Sequence, residues 1–151
     1  MSIKHLTVGL TISLIVGLFP NSPTIAQETI VDSQCRNHQQ IHPDDGYRIF
    51  YKSEFKVGGE NYWLYSARYE DGAAIVCISK PGFKQARHLK LKPIDSVFIH
   101  EVTNDARNKA AFLVTVAGGN GSYVPMTQYR LSLSTPNKPV LTKLRTWTSR
   151  D

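Results

Sequence analysis

The alternation of apolar and polar positions is clearest in the middle of the chain, where it predicts three β-strands joined by two glycine turns. From Tyr47 to Val57, apolar side chains alternate with charged ones, which is typical of a half-buried strand. Gly58-Gly59 interrupts this alternation, and a second strand follows from Asn61 to Tyr69. Asp71-Gly72, a dipeptide favoured in tight hairpins, then leads into a third strand.

The registers of these two hairpins decide which side chains share a face. We predict a three-residue loop, Gly58-Gly59-Glu60, because a two-residue loop would divide the aromatic side chains between the two faces. For Asp71-Gly72 we predict a two-residue turn. Together the registers predict one buried face that holds Phe55, Trp63, Tyr65, Val76 and Ile78. Cys77 then falls on the opposite face, which we expect the Cys35 segment or a second sheet to cover.

Four later segments also have the composition and alternation of strands, namely residues 96–102, 110–117, 126–134 and 140–146. No stretch sustains the three- and four-residue spacing of an amphipathic helix. We therefore predict an all-β fold, an antiparallel meander of about seven or eight short strands that forms a small sandwich or barrel.

The first residues predict export. Lys4 and His5 precede a mostly apolar run from Leu6 to Phe19, and Thr24-Ile25-Ala26 places small residues before a cut at Gln27. The run is shorter than the about 20 apolar residues that a membrane-spanning helix needs. We predict a periplasmic or extracellular protein with no membrane span after cleavage. Its parts are a signal peptide (1–26), an irregular lead-in tethered by Cys35 (27–46) and a single β domain (47–151).

Export also determines how the two cysteines are interpreted. In an oxidising compartment, Cys35 and Cys77 are expected to form one disulfide, since they are the only pair. Closing a loop of roughly 43 residues stabilises the fold by about 4 kcal/mol in the chain-entropy model. Neither cysteine lies in a Cys-x-x-Cys motif and two sulfurs do not complete a zinc site, so we predict no metal site.

The net charge of +6 favours anionic surfaces only weakly. Five basic side chains, counting His88, lie between Lys84 and Lys92 with no acid among them. We predict that this run is a solvated sheet edge, since lysines on edge strands discourage association between sheets. An anion-binding site is the alternative, and we expect no nucleic-acid partner.

No motif predicts catalysis or a cofactor. The glycine-rich stretch 117–122 continues into another strand and lacks the lysine of a phosphate loop, so it predicts a hairpin loop. The chain contains no Gly-x-Ser-x-Gly elbow. Aromatic residues are the better candidates, since their rings bind sugars and protein partners. Core packing accounts least well for Tyr62 and Trp147, which we predict as binding residues.

One local pattern resembles a known family. The stretch from Ser66 to Gly72, with Ser79-Lys80-Pro81-Gly82 after it, is similar to the hairpin of the periplasmic inhibitors of C-type lysozyme. Those proteins are small exported β-barrels in which a serine before the turn and a lysine after it contact the lysozyme active site. The resemblance implies these roles for Ser66 and Lys80. It covers about 17 residues, and the Ser-Gly pair of the family reads Ser66-Ala67 here.

These observations predict an exported, non-catalytic binding module whose partner is a polysaccharide or a protein of the cell envelope. Two alternatives stay open, a lysozyme-inhibitor-like protein and an exported hydrolase whose catalytic groups meet only in the fold. A cleft that contains titratable groups with perturbed pKa values would distinguish the hydrolase from the other two.

Overall fold

The computed structural model describes residues 28–42, 44–119 and 121–150, which form nine β-strands in two antiparallel sheets. The first sheet contains, in chain order, β1 (Ile30–Val31), β2 (Tyr47–Val57), β3 (Glu60–Arg68), β4 (Ala74–Lys80) and β5 (Lys84–His88). The second sheet contains β6 (Phe98–Asn104), β7 (Ala111–Ala117), β8 (Tyr123–Ser132) and β9 (Val140–Arg150). With the Cys35–Cys77 disulfide also present, the predicted all-β antiparallel meander is confirmed.

The two sheets pack face to face over one shared core, as in a sandwich. Successive residues of a strand point to opposite faces, so β2, β3, β4, β6, β7 and β8 contribute alternate apolar side chains to this core. The rings of Phe55 and Phe112 meet edge to face across the core, with centroids 5.5 Å apart. The core includes Phe55, Leu64, Val76 and Ile78 from the first sheet and Ile99, Val102, Phe112, Val114 and Leu131 from the second.

The register of the β2–β3 hairpin differs from the prediction. Val57 lies opposite Glu60, so Gly58-Gly59 is a two-residue turn, and Phe55 lies opposite Tyr62 rather than Trp63. Gly58 and Gly59 have φ values of 58° and 81°. A two-residue turn with both φ values positive matches the twist of the flanking strands, and two glycines adopt it without steric penalty.

The loop of the β3–β4 hairpin is also one residue longer than predicted. The N–H of Tyr69 donates to the carbonyl oxygen of Ala73 at 2.8 Å, so three residues rather than two form the loop. Gly72 closes this loop with a φ of 92°. Tyr65 therefore lies opposite Cys77, and not opposite Ile78.

These registers correct the predicted buried face. Phe55, Val76 and Ile78 do lie in the core between the sheets, where Leu64 joins them. Trp63 and Tyr65 lie on the outer face of the first sheet. The prediction chose the register that places the large aromatic side chains on one face, but both faces of this sheet are covered, so burial does not require them to share a face.

The outer face of the first sheet is covered by the Cys35 segment, which confirms one of the two expectations for it. Cys35 and Cys77 are joined with their Cα atoms 5.8 Å apart. The hydroxyl of Tyr65 donates to the carbonyl oxygen of Cys35 at 2.5 Å, and burial raises the pKa of Tyr65. This second cluster consists of Val31, Cys35, Tyr65, Ala67, Ile75 and Cys77. Apart from β1, the described part of the lead-in is irregular.

No helix within residues 28–42, 44–119 and 121–150 is long and apolar enough to cross a membrane. The predicted signal peptide, residues 1–26, lies outside the described residues. Export therefore stays a prediction from the sequence.

Candidate functional site

The four predicted binding residues divide into one neighbouring pair and two separate positions. Tyr62 and Lys80 lie together, with the Lys80 ammonium 4.0 Å from the centroid of the Tyr62 ring. Ser66 is only 1% exposed, and its hydroxyl donates to the carbonyl oxygen of Ile75 at 3.0 Å. Ser66 is therefore not available to a partner in this conformation. Trp147 lies in the second sheet, on β9, opposite Met126.

Tyr62 and Lys80 line a groove at one end of the sandwich. The groove lies where the ends of β3, β4 and β5 approach the hairpin between β8 and β9, and its volume is about 320 Å³. Its walls are mostly polar and consist of Glu60, Tyr62, Ile78, Ser79, Lys80, Gln85, Arg87 and Asn137. We call this set the end groove.

A hydrogen-bonded triad forms one wall of the end groove. The ammonium of Lys80 lies 2.5 Å from a carboxylate oxygen of Glu60, and the hydroxyl of Tyr62 donates to the same oxygen at 2.8 Å. The hydrogen bond from Lys80 lowers the pKa of Glu60, and the same bond raises the pKa of Lys80. Both groups are therefore charged at neutral pH, as expected when a hydrogen bond favours the ionised forms.

The ring of Tyr62 is not a free stacking surface. The ring of Phe55 stacks against it with centroids 5.5 Å apart and an angle of 21° between the planes. The Lys80 ammonium lies over the same ring. Tyr62 therefore offers a ligand its hydroxyl and its ring edge, while its faces are in contact with groups of this chain.

Arg87, on the neighbouring strand β5, also lines the end groove, and it belongs to the basic run for which an anion-binding site was the alternative prediction. Its guanidinium donates to the carbonyl oxygen of Pro136 and lies 3.5 Å from the side-chain oxygen of Asn137. These contacts connect β5 to the hairpin between β8 and β9. The predicted solvated edge is therefore only partly correct, since Lys84 and Lys90 are exposed but Arg87 is half-buried in the groove.

A β-bulge places Arg87 on this side of the sheet. Lys80 pairs with Lys84 but Ile78 pairs with Arg87, so β5 has one residue more than β4 over this interval. Gln85, within the bulge, has a φ of 52°, which is uncommon for a residue other than glycine. Without the extra residue, Arg87 would face Cys77 on the outer side. Bulges commonly re-aim side chains in this way.

The charged side chains of the end groove are two cations, Lys80 and Arg87, and one carboxylate. Among the lining residues the only carboxylate is Glu60, and it is already paired with Lys80. Elsewhere, His88 and Asp95 lie 2.6 Å apart, but the nearby Ser96 hydroxyl contacts Asp95 rather than the histidine. Within the described residues, no group of three or more His, Cys, Asp or Glu side chains has the arrangement of a metal site.

Comparisons with protein-family models, with curated proteins and with solved structures gave no match for this chain. The resemblance to the lysozyme inhibitors therefore stays a local one. The function has to be inferred from the geometry and the charges of the described residues.

Proposed function

We propose that this chain is an exported, non-catalytic binding protein that holds an acidic glycan of the cell envelope in the end groove. The observation that carries the proposal is that Lys80 and Arg87, from the adjacent strands β4 and β5, both line one concave, polar site. Two cations against the single carboxylate of Glu60 favour a negatively charged ligand.

The lining favours a sugar over an apolar ligand. The side-chain amides of Gln85 and Asn137 and the hydroxyl of Tyr62 offer donors and acceptors to hydroxyl groups. The volume of about 320 Å³ is at the small end of the range for small-molecule sites. One or two sugar units, with the rest of the polymer outside, match a groove of this size.

The two alternatives have less support. The inhibitor resemblance assigns contact roles to both Ser66 and Lys80, and Ser66 is buried under its hydrogen bond to Ile75. A glycoside hydrolase of the usual kind uses a pair of carboxyl groups on either side of the scissile bond. Glu60 is the one carboxylate of the end groove, and its lowered pKa is the opposite of what a general acid needs.

Calorimetric titration with oligogalacturonides, and with neutral galacto-oligosaccharides of the same length, tests the proposal. We expect the acidic sugar alone to bind, and its affinity to fall with salt, because exposed charges are screened beyond about 10 Å at 0.1 M. Lys80→Gln should weaken binding about tenfold, the equivalent of one charge-assisted hydrogen bond of about 1.5 kcal/mol. The matched control is Lys143→Gln on β9, outside the groove, which should bind like the parent.

A second variant is expected to strengthen binding rather than weaken it. Glu60→Gln removes the carboxylate that competes with the ligand for Lys80, so acidic sugar should bind more tightly than it does to the parent. Equal binding of acidic and neutral sugars, or a loss of affinity in Glu60→Gln, would contradict the assignment of the groove. Release of new reducing ends during incubation would show that the protein cleaves the sugar and is therefore an enzyme.

A further inference from the structure

The edge of the second sheet at β9 has features that the end groove does not explain. β9 (Val140–Arg150) has 11 residues and is the last strand of its sheet, paired along its length with β8. Most of its side chains are exposed, including Val140 at 58% and Leu144 at 43%. Within the described residues, the other edge of β9 has no strand beside it, so its backbone groups face solvent.

This edge lies in the basic part of the chain. Between Asp105 and Asp151 the sequence has no acidic residue and seven basic ones, namely Arg107, Lys109, Arg130, Lys138, Lys143, Arg145 and Arg150. The last three belong to β9. Pairing of β9 with a second copy of itself would bring two basic strands together, and like charges on adjacent strands are destabilising. The charge pattern favours an acidic partner.

A row of apolar side chains crosses the outer face of the second sheet and ends at the β9 edge. Phe98 lies opposite Ala117, Ala117 opposite Met126, and Met126 opposite Trp147. Phe98 is 43% exposed, Met126 is only 4% exposed, and Trp147 is partly buried. Trp147 is the last member of the row, so a strand added beside β9 would place its own side chain next to the indole.

Arg145 lies on the same face as Trp147, two residues earlier. Its guanidinium is 4.7 Å from the centroid of the indole ring, and its Nε donates to the side-chain oxygen of Gln128 at 3.2 Å. The pairing with β8 shifts at Leu144, because Gln128 pairs with Arg145 and the next residue, Tyr129, pairs with Lys143. The regular part of the edge that carries both Arg145 and Trp147 is therefore residues 145–150.

We propose that an extended, acidic segment of a partner protein adds to the second sheet as a further strand beside residues 145–150. Main-chain hydrogen bonds to the free edge provide the affinity, and side chains at alternate positions provide the specificity. On the outer face, a carboxylate of the segment lies beside Arg145 and an apolar side chain lies beside Trp147. A peptide fits better than an acidic polysaccharide because only a peptide can pair with the backbone edge.

The test uses the mature protein and a seven-residue peptide with threonine at odd positions and Glu, Phe, Glu at the even positions. This places the two carboxylates and the ring on one face of the strand. We expect binding with chemical-shift changes along β9 and slower amide exchange over residues 145–150. The same peptide N-methylated at every residue keeps its charge but cannot form a ladder, so it should bind at least about tenfold more weakly.

Two variants separate strand addition from attraction by charge alone. Arg145→Glu should abolish binding of the acidic peptide, whereas Lys109→Glu, an equal change of charge between β6 and β7, should leave it within about twofold of the parent. Equal affinity for the free and N-methylated peptides would overturn the proposal in favour of a general polyanion surface. Absence of peptide binding, or self-association through β9, would also overturn it. Neither result affects the end groove, whose residues lie outside β9.

Discussion

Removal of the disulfide is the most direct test of how the outer face of the first sheet is covered. The change is Cys35→Ala together with Cys77→Ala. The bond joins residues 42 apart in sequence, and the chain-entropy model assigns about 4 kcal/mol to a loop of this length. Because the pair is completely buried against apolar neighbours, alanine at both positions introduces no buried polar group.

The structure predicts an additional loss beyond the loop entropy. The Cys35 segment buries Tyr65, Ala67 and Ile75, and the hydroxyl of Tyr65 has the carbonyl oxygen of Cys35 as its acceptor. Without the covalent link, release of the segment exposes this cluster and leaves that hydroxyl to water. We therefore expect the free energy of unfolding to fall by about 4 kcal/mol or more, and Tm to fall by roughly 10–20 °C.

Urea denaturation of the oxidised parent, the reduced parent and the double variant measures the effect, and calorimetry gives the change in Tm. Amide hydrogen exchange of β3 and β4 should become faster in the variant, because these strands lose their outer cover. Val31→Ala is the matched control, since it removes a buried contact of the same segment but keeps the bond. It should cost about 2 kcal/mol, less than loss of the disulfide.

A loss of less than about 1 kcal/mol on removing the bond would refute the chain-entropy reasoning. Unchanged amide exchange in β3 and β4 would show that the segment stays in place without the disulfide. The packing of Val31 and Tyr65, rather than the covalent link, would then be responsible for covering the face.

Three further predictions follow from the corrected register, from a buried carboxylate and from the N-terminal sequence. Leu64→Ala should cost about 2–5 kcal/mol in urea denaturation, and Trp63→Ala should cost less because this side chain is half-buried on the outer face. A larger loss of stability in Trp63→Ala than in Leu64→Ala would support the register predicted from the sequence, in which Trp63 faces the core. The backbone hydrogen bond from Arg107 lowers the pKa of buried Asp105 below its ordinary value of 3.8. The ionised carboxylate therefore stabilises the fold above pH 3.8, and this stabilisation is lost as the pH falls through the lower pKa of the folded state. In Asp105→Asn, the free energy of unfolding should therefore fall less steeply as the pH is lowered. An unchanged pH dependence would show that Asp105 does not contribute to acid sensitivity. N-terminal sequencing of protein exported by the native host should begin at Gln27, and an intact Met1 would contradict cleavage.

Strand positions could be predicted from the sequence because they depend on local properties. Alternation with a period of two and clusters of glycine, proline, asparagine and aspartate are visible within a few residues. The segments predicted as strands correspond to β2, β3, β4, β6, β7, β8 and β9. Two strands of the structure were not predicted. They are β1, which has only two residues, and β5, whose basic sequence was interpreted as a solvated edge.

The registers could not be predicted by burial alone. A one-residue shift normally moves apolar side chains into water, which makes the correct register recognisable. Here the first sheet is covered on one face by the second sheet and on the other by the Cys35 segment. Phe55 and Trp63 can then lie on opposite faces, each with apolar neighbours. Burial of apolar side chains therefore does not distinguish the two-residue turn at Gly58-Gly59 from the three-residue loop.

The candidate site was partly visible in the sequence. Tyr62 and Lys80 were both identified and do lie together, although they were chosen for different reasons. Arg87 was included in a predicted solvated edge, with an anion site as the alternative, because the bulge at Gln85 that turns it toward the groove depends on strand pairing and not on the local sequence. The burial of Ser66 follows from the β3–β4 register, which places its hydroxyl at the carbonyl of Ile75.

By itself, the sequence determined the all-β class, the meander order, most strand positions and the single disulfide, because each depends on neighbouring residues or on a unique cysteine pair. The tertiary structure decided which faces are buried, where the end groove opens and which basic side chains enter it. Those properties depend on contacts between distant segments, such as that of Arg87 with Pro136. They also depend on single-residue shifts in strand pairing, and neither the hydrophobic pattern nor the turn composition encodes them.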